Sequence, residues 1–110
     1  SEISVKRYMI VREKIPKEEL REPYIKAALD IERRIVAIGC ELHTDCAEEL
    51  LADGSEMKSV WGINIYPDLH IDYVSLINIR PGANNRSVQV ESVEIRQKID
   101  AILKNLLPSV

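Results

Sequence analysis

The predicted fold depends on how the segment "YIKAALDIERRIVAIG", residues 24–39, is assigned. Its apolar residues show two periodicities, one typical of a helix and one typical of a strand. A spacing of three and four, expected of an amphipathic helix, links Tyr24, Ala27, Ile31, Ile35 and Ile38. Apolar and other residues also alternate from residue 25 to residue 31, as they do in a strand. The charged break at 32–34 and the β-branched pair after it favour a hairpin of two strands, and a single helix is the alternative.

The residues that precede this segment predict a first strand and a short helix. Ile3 to Arg12 contains alternating and then continuous apolar positions, which are typical of a strand. Pro16 opens the helical stretch "PKEEL", because proline is favoured at the first helical position and acidic residues are favoured in the first turn. Pro23 ends this short helix.

A longer helix is predicted after the segment, within "TDCAEELLADG" at residues 44–54. Asp45 is the predicted N-cap, and Glu48 three residues later completes a capping box. Gly54 is a natural C-terminal stop. The helix is therefore expected to span about Cys46 to Ala52.

Two nearly identical pentapeptides follow, "INIYP" at residues 63–67 and "INIRP" at residues 77–81. Both are predicted strands, and the loop Pro67 to Asp72 between them is long enough to make them antiparallel neighbours. The stretch "PGANNRS" at residues 81–87 is rich in turn-forming residues and predicts a loop.

The last helix is predicted from about Ser92 to Leu107. Ser92 is a favourable N-cap, and Pro108 ends the helix. Its apolar stripe consists of Ile95, Ile99, Ile102, Leu103 and Leu106. Together the elements predict a single domain, residues 1–110, of the α+β class, with a mostly antiparallel sheet of about five strands and two main helices packed on one face.

The composition argues against several classes of protein. Hydrophobic residues make up 45% of the 110 residues and charged residues 30%, a balance that argues against a disordered chain. A net charge of −3 argues against nucleic acid as a partner. No apolar run approaches the ~18 residues that a membrane helix needs, and the N-terminal residues do not form a signal peptide. We therefore expect a cytoplasmic protein with no membrane partner, in which Cys40 and Cys46 are reduced.

Five side chains that can bind a metal are candidates for one site. "IGCELHTD", residues 38–45, brings together Glu41, His43 and Asp45, and a second His-x-Asp follows at His70 and Asp72. Such a set of histidines and carboxylates suits Zn²⁺, iron or manganese and would support a metal-dependent hydrolase. The simpler interpretation is that Asp45 caps a helix and that both histidines are ordinary surface residues. The sequence leaves the cofactor unknown.

A set of amides, arginines and a tyrosine predicts a site for a small anionic molecule. If the isoleucines of the two pentapeptides face the core, the opposite sheet face displays Asn64, Tyr66, Asn78 and Arg80. The following loop adds Asn84, Asn85, Arg86 and Ser87. Arginine side chains, amide donors and free backbone N–H groups suit a phosphate or a carboxylate.

Val74 and Leu76 lie on the same predicted face and permit another function. They could supply the apolar wall of the pocket or, with Tyr66, the surface of a homodimer. A non-catalytic interaction module is therefore an alternative to ligand binding. No G-x-S-x-G nucleophile elbow and no glycine-rich phosphate loop occurs in the sequence, which leaves open whether the protein is an enzyme.

Several stretches resemble a small family of prokaryotic proteins of about this length, known only as a domain of unknown function. They are "IKAALDIERRIVAIGCELHTD", "ADGS", "VWGINIYP" and "SLINIRPGANNRS", the last followed by "VEIRQKI". The resemblance spans about Ile25 to Leu107 and implies a free-standing intracellular protein of one domain, with no known activity. The family pattern has glycine at the position of Cys40, which weakens a site built on that cysteine.

Overall fold

A computed structural model describes residues 8–108, in which five strands form one antiparallel sheet. The strands are β1 (Met9–Val11), β2 (Ile25–Asp30), β3 (Ile35–Cys40), β4 (Val60–Ile65) and β5 (Ile71–Asp72), in the order β1-β3-β2-β4-β5. The α-helices are α1 (His43–Ala52) and α2 (Val93–Leu106). Short 3₁₀ segments cover Lys17–Glu19, Met57–Ser59, Leu76–Asn78 and Pro81–Ala83. The predicted α+β class with a five-stranded antiparallel sheet is confirmed.

The hairpin interpretation of residues 24–39 is confirmed by β2 and β3. The two strands are antiparallel, and Asp30 at the end of β2 lies opposite Ile35 at the start of β3. The Asp30 carboxylate accepts hydrogen bonds from the backbone N–H groups of Glu32 (2.8 Å) and Arg33 (3.0 Å), which closes the connecting turn. Residues 27–30 are buried in the centre of the sheet, so β2 is apolar on both faces. Its sequence therefore does not alternate strictly between apolar and polar residues.

The two α-helices cover opposite faces of the sheet, so the prediction that both pack on one face is wrong. Ala27 and Leu29 of β2 belong to the hydrophobic cluster that contains the buried residues of α2, whereas Ala28 belongs to the cluster that contains those of α1. Successive residues of a strand point to opposite faces. β3 likewise directs Val36 towards α2 and Ile35 towards α1. Both faces of the central strands are apolar, and each therefore needs its own helix.

The first strand and the short N-terminal helix form over fewer residues than predicted. β1 covers Met9–Val11, and the part of the predicted strand before residue 8 lies outside the described residues. The helix predicted at Pro16 is the 3₁₀ segment Lys17–Glu19, for which Pro16 is the N-cap.

α1 begins three residues earlier than predicted, at His43. Its N-cap is Leu42, and Asp45 lies in the first turn instead of capping the helix, so the predicted capping box is wrong. Cys46 and Ala47, which are buried, lie three and four positions after His43. Starting the helix at His43 therefore extends the same face by one turn.

The predicted C-terminal end of α1 and both predicted ends of α2 are confirmed. Gly54, with φ of 109°, follows the end of α1 in the left-handed conformation that favours glycine. Ser92 caps α2 by accepting a hydrogen bond from the Ile95 N–H (3.2 Å), and the helix ends before Pro108. Its buried stripe contains Ile99, Ile102, Leu103 and Leu106. Between residues 8 and 108 no helix is long and apolar enough to cross a membrane.

The strand predicted at residues 77–81 does not form. β4 pairs instead with β5, and residues 76–78 form a 3₁₀ turn packed against β4. The buried side chain of Asn78 takes the place of a strand: its Oδ1 accepts the Gly62 N–H (2.8 Å), and its Nδ2 donates to the Gly62 carbonyl (3.0 Å). The prediction is wrong because an amide side chain supplies the partners that a neighbouring backbone would otherwise provide.

Candidate functional site

The loop predicted to bind an anion already holds a carboxylate of the chain itself. Glu91 Oε2 accepts hydrogen bonds from the backbone N–H groups of Arg86 (3.1 Å) and Ser87 (2.8 Å). The hydrogen bonds from Ser87 and Arg86 lower the pKa of the Glu91 carboxyl. Asn84 is exposed and ends the Pro81–Ala83 turn with φ of 62°. The N–H groups expected to receive a ligand are therefore occupied by Glu91.

The amides predicted for the same pocket have structural partners. Asn85 is 3% exposed, and its Nδ2 donates to the carbonyl oxygens of Asn78 (2.7 Å) and Gln89 (2.8 Å). Its Oδ1 accepts the Glu91 N–H (2.8 Å). Asn78 is bound to β4 through Gly62, as described above. Both amides therefore use their donors and acceptors within the chain.

Arg80 joins the 3₁₀ segment at 76–78 to β4. It donates to the backbone carbonyls of Ile77 (3.2 Å), Met57 (2.9 Å) and Val60. Its guanidinium lies 4.2 Å from the centre of the Trp61 ring, and burial lowers its pKa. These contacts give Arg80 a structural role in place of the predicted contact with a ligand.

Tyr66 lies in an aromatic stack just after β4. Its ring centre is 4.0 Å from that of His70 and 5.1 Å from that of Tyr24. His70 Nδ1 also forms a 2.5 Å hydrogen bond with Asp68 Oδ1. His70 is therefore an exposed residue whose Nδ1 is hydrogen-bonded to Asp68.

Asn64 lies in a row of polar side chains that crosses four strands. Cys40 of β3 lies opposite Lys26 of β2, Lys26 opposite Asn64 of β4, and Asn64 opposite Asp72 of β5. Asn64 Nδ2 donates to Asp72 Oδ2 (3.2 Å) and to the carbonyl of Val74 (3.4 Å). The row lies on the sheet face that α1 covers, near the first turn of that helix.

His43, the first residue of α1, is hydrogen-bonded to this row. Its Nε2 lies 2.9 Å from the carbonyl oxygen of Ile63 and 3.0 Å from Oδ1 of Asn64. Both partners are acceptors, since Asn64 uses Nδ2 as the donor to Asp72. Nε2 therefore carries the proton and Nδ1 carries the lone pair. Burial lowers the pKa of His43, so the ring is neutral at pH 7.

The five predicted metal ligands do not converge. His43 and Asp72 both contact Asn64, but His70 is held by Asp68. Glu41 and Asp45, the other two predicted ligands, do not complete a set of three potential ligands with His43 and Asp72. Over residues 8–108 no three His, Cys, Asp or Glu side chains are placed to hold a metal ion. The described part of the chain thus does not assemble the predicted metal site.

A disulfide joins Cys40 to Cys46, so the expectation that both cysteines are reduced is wrong. It connects the end of β3 to the first turn of α1. The short connection between these elements brings the two Cα atoms to 5.6 Å, a normal separation for a disulfide. Cys46 is fully buried, whereas Cys40 is partly exposed.

A cavity of about 550 Å³ opens at the other end of the β2–β3 hairpin, and none of the predicted site residues lines it. It is bounded by the end of β1, the hairpin turn and the last turns of α2. Its lining residues are Arg12, Glu13, Arg33, Arg34, Ile35, Ile102, Asn105 and Leu106.

Two arginines of the cavity are held by one carboxylate. Arg12 Nη2 and Arg33 Nη2 lie 2.7 Å and 2.6 Å from the same oxygen, Oδ2 of Asp53. Arg33 Nη1 also donates to Ser55 Oγ (2.8 Å). Hydrogen bonds from Arg12 and Arg33 lower the pKa of the Asp53 carboxyl, which remains ionised at neutral pH. Each guanidinium has five N–H donors and keeps several of them for a ligand.

The third arginine and the aliphatic wall complete the cavity. Arg34 lies in the hairpin turn with φ of 61°, and its side chain forms no hydrogen bond or ion pair with any residue from 8 to 108. Ile35, Ile102 and Leu106 supply the apolar surface. The site therefore combines unpaired positive charge with an apolar wall, as small-molecule sites commonly do.

Comparison with protein-family models identifies a family for this chain. The model for proteins of unknown function named DUF5674 covers residues 9–106. The chain belongs to the DUF5674 family. No curated protein and no solved structure matches it. Membership confirms the resemblance to a domain of unknown function and supplies no activity, so the function has to be inferred from the chain's own geometry.

The arginine-lined cavity of this DUF5674 protein has only a weak signal in the sequence. The charged break Glu32-Arg33-Arg34 predicts a turn and is equally typical of a solvated surface. Arg12 comes close to that turn because Val11 of β1 lies opposite Val36 of β3. The cavity thus depends on the pairing of strands that are distant in the sequence, and no local sequence motif predicts it.

Proposed function

We propose that the protein binds a small anionic ligand in the arginine-lined cavity. The observation that carries this proposal is the convergence of Arg12, Arg33 and Arg34 on one cavity of about 550 Å³. Guanidinium groups bind carboxylates and phosphates through parallel pairs of N–H donors. A cavity of this volume lies within the range that accommodates small molecules.

The charges around the cavity favour an anion. Among the residues from 8 to 108, its lining carries three guanidinium groups and the carboxylate of Glu13. Asp53, which bridges Arg12 and Arg33, adds a second carboxylate. Three positive charges against two negative charges leave an excess of one positive charge. Arg34 supplies that excess, since its side chain has no partner in the described part of the chain.

The rest of the lining favours a ligand that is not purely ionic. Ile35, Ile102 and Leu106, each no more than 5% exposed, can contact a small apolar portion of the ligand, while Glu13 and Asn105 can accept hydrogen bonds from hydroxyl or amine groups. A hydroxy acid or a small phosphorylated molecule combines these features. No serine, cysteine or histidine is among the described lining residues, and the proposal is therefore of binding without an assigned reaction.

The ligand class is the one predicted from the sequence, but the place is different. The N–H groups of the predicted loop bind Glu91, and Asn78 and Asn85 are buried. The guanidinium groups of the cavity, in contrast, face a space large enough for a ligand. The position of unengaged donors therefore favours the cavity over the loop.

Thermal denaturation in the presence of inorganic pyrophosphate or citrate tests the proposal. We expect at least one of these anions to raise the melting temperature of the wild-type protein by several degrees, because a ligand that binds only the folded state stabilises it. Arg34→Asn should abolish most of the rise, and asparagine tolerates the left-handed backbone at this position. Arg86→Asn, on the predicted loop, is the matched control and should retain the full rise. An equal rise in both variants, or no rise with either anion, would contradict the proposal.

Exposed apolar side chains support a second candidate function, association of two copies of the chain. Leu76 is 77% exposed and Ile79 is 42% exposed, while the predicted partner residue Val74 is partly buried. Large exposed aliphatic side chains of this kind favour contact with another surface. Sedimentation over a range of concentrations should show a dimer that Leu76→Glu dissociates, and a monomer at every concentration would exclude this candidate.

A further inference from the structure

The disulfide between Cys40 and Cys46 presents its two sulfur atoms unequally. Cys46 is fully buried in the cluster beneath α1, whereas Cys40 at the end of β3 is partly exposed. Exchange requires an incoming thiolate to reach one of the two sulfurs. Of the two cysteines only Cys40 has surface exposed in the folded protein, so Cys40 is the position at which a mixed disulfide would form.

Positive groups lie beside the accessible sulfur. Lys26 lies opposite Cys40 in the sheet, and its ammonium donates to the backbone carbonyl of Glu41, the next residue along the chain (2.8 Å). The first turn of α1 has no side-chain cap, and although the Asp45 N–H donates to the backbone carbonyl of Leu42 (3.0 Å), the positive end of the helix dipole lies at this turn, where it favours a negative sulfur. The carboxylates of Glu41 and Asp45 oppose this field, but Glu41 is exposed and its charge is well solvated. Positive charge and a helix N-terminus are the surroundings that favour a reactive thiolate.

A base also lies between the two cysteines in the chain. His43 is neutral, and its Nε2–H is directed to Ile63 and Asn64, which leaves the lone pair of Nδ1 without a hydrogen-bond partner among the described residues. The sulfur of Cys40 lies 3.5 Å from the carbonyl oxygen of Lys26, which can receive a hydrogen bond once the sulfur carries a proton. Both the thiolate and the thiol of reduced Cys40 therefore have groups to stabilise them.

We propose that Cys40 and Cys46 carry out thiol–disulfide exchange with an organic disulfide, RSSR′. In the reduced protein, the Cys40 thiolate attacks one substrate sulfur, forms a Cys40–SR bond and releases R′S⁻. The Cys46 thiolate then attacks the sulfur of Cys40, forms the observed disulfide and releases RS⁻. Two electrons pass from the protein dithiol to the substrate, and the two thiol protons finish on the released thiols. An external thiol drives the same steps in reverse.

This activity is independent of the proposed anion site. The disulfide lies where β3 ends and α1 begins, whereas the arginine-lined cavity lies at the turn that joins β2 to β3. No residue is shared between the two. Failure of one proposal would therefore leave the other unaffected.

Reaction of the reduced protein with oxidised glutathione tests the exchange. After acid quenching, intact mass spectrometry of the wild type should show the internal disulfide with two glutathione molecules released and no lasting adduct. Cys46→Ala should stop as a stable glutathione adduct on Cys40. Cys40→Ala should react at least tenfold more slowly than Cys46→Ala while folded, and at a similar rate in denaturant, because burial protects Cys46. Circular dichroism checks that each variant remains folded.

A second measurement separates assistance by neighbouring groups from simple exposure. Lys26→Gln in the Cys46→Ala background should slow adduct formation by about threefold to tenfold at neutral pH, and Lys26→Arg should restore it. His43→Gln should shift the rate–pH profile to higher pH. The proposal is overturned if reduced wild-type protein accumulates the adduct without closing the ring, if the two single-cysteine variants react equally fast while folded, or if Lys26→Gln has no effect.

Discussion

At the scale of single residues, the two asparagines of the pentapeptides, Asn64 and Asn78, show how far a side chain can depart from its predicted place. Both were expected on an exposed polar face, yet they are 7% and 0% exposed. Asn78 replaces a neighbouring strand at Gly62, and Asn64 connects His43 to Asp72. Their partners lie on other elements, so a local pattern of alternation carried no information about these roles.

Gly62 should be irreplaceable, because the 3₁₀ turn crosses β4 directly over it. A Cβ atom at this position would lie 2.5 Å from Cβ of Ser75 and 2.9 Å from Cγ1 of Ile77, with no room to move. We expect Gly62→Ala to lower the free energy of unfolding by about 3 kcal/mol. Urea denaturation measures this loss. Gly82→Ala is the control, since nothing lies within 4 Å of its Cβ, and equal stability of the two variants would refute the predicted clash.

His43 should make the stability of the protein depend on pH below neutrality. Burial lowers its pKa in the folded state from the ordinary value of 6.5, so at pH below 6.5 the unfolded chain binds a proton that the folded chain rejects. Stability should therefore be lost as the pH falls below 6.5, by up to about 1.4 kcal/mol per pH unit, and should be unaffected by this group above about pH 7. Urea midpoints measured between about pH 8 and about pH 5 test this, because that range includes the ordinary pKa of histidine.

The matched variants for that measurement are His43→Gln and His70→Gln. His43→Gln should flatten the fall in stability, and His70→Gln, which replaces the exposed histidine in the same way, is the control. If both variants follow the wild-type curve, burial of His43 does not govern the pH dependence.

At the scale of elements, local signals predicted some parts of the fold and failed at others for identifiable reasons. α2 was predicted at both ends because its cap, its apolar stripe and its stop all lie within the element. The hairpin was recognised from the charged break at 32–34 and the residues after it. The start of α1 was misplaced because Asp45 resembles a cap, while the packing of Cys46 and Ala47 on the sheet extends the helix to His43. That packing depends on the sheet and is not visible in the segment itself.

The disulfide should stabilise the junction of β3 and α1. The loop that it closes is short, with a sequence separation of 6, so the loss of conformational freedom in the unfolded chain is modest. We expect reduction to lower the free energy of unfolding by about 2 kcal/mol. Urea denaturation with and without a thiol reductant measures the difference. The double variant Cys40→Ser, Cys46→Ser should not respond to the reductant, and an unchanged midpoint in reduced wild-type protein would contradict the expected stabilisation.

At the scale of the whole molecule, the helices and the cavity depend on contacts between distant segments. The sequence predicted two helices and a sheet but placed both helices on one face, because it does not show that the central strands are apolar on both faces. It also predicted the class of ligand that we propose, a small anion, while naming residues whose donors are engaged by Glu91 or buried. Arg12, Arg33 and Arg34 come together only when β1 pairs with β3 and α2 packs beside the hairpin turn. No single segment contains that information.

The most direct test of the anion site is an NMR titration of ¹⁵N-labelled protein with citrate or inorganic pyrophosphate. If the ligand binds in the arginine-lined cavity, the largest shifts of backbone amide signals should fall on residues 12–13, 33–35 and 102–106. The amides of residues 84–87 should remain in place, because Glu91 already occupies their N–H groups. Shifts centred on residues 84–87, or no localised shifts with either anion, would contradict the proposed site.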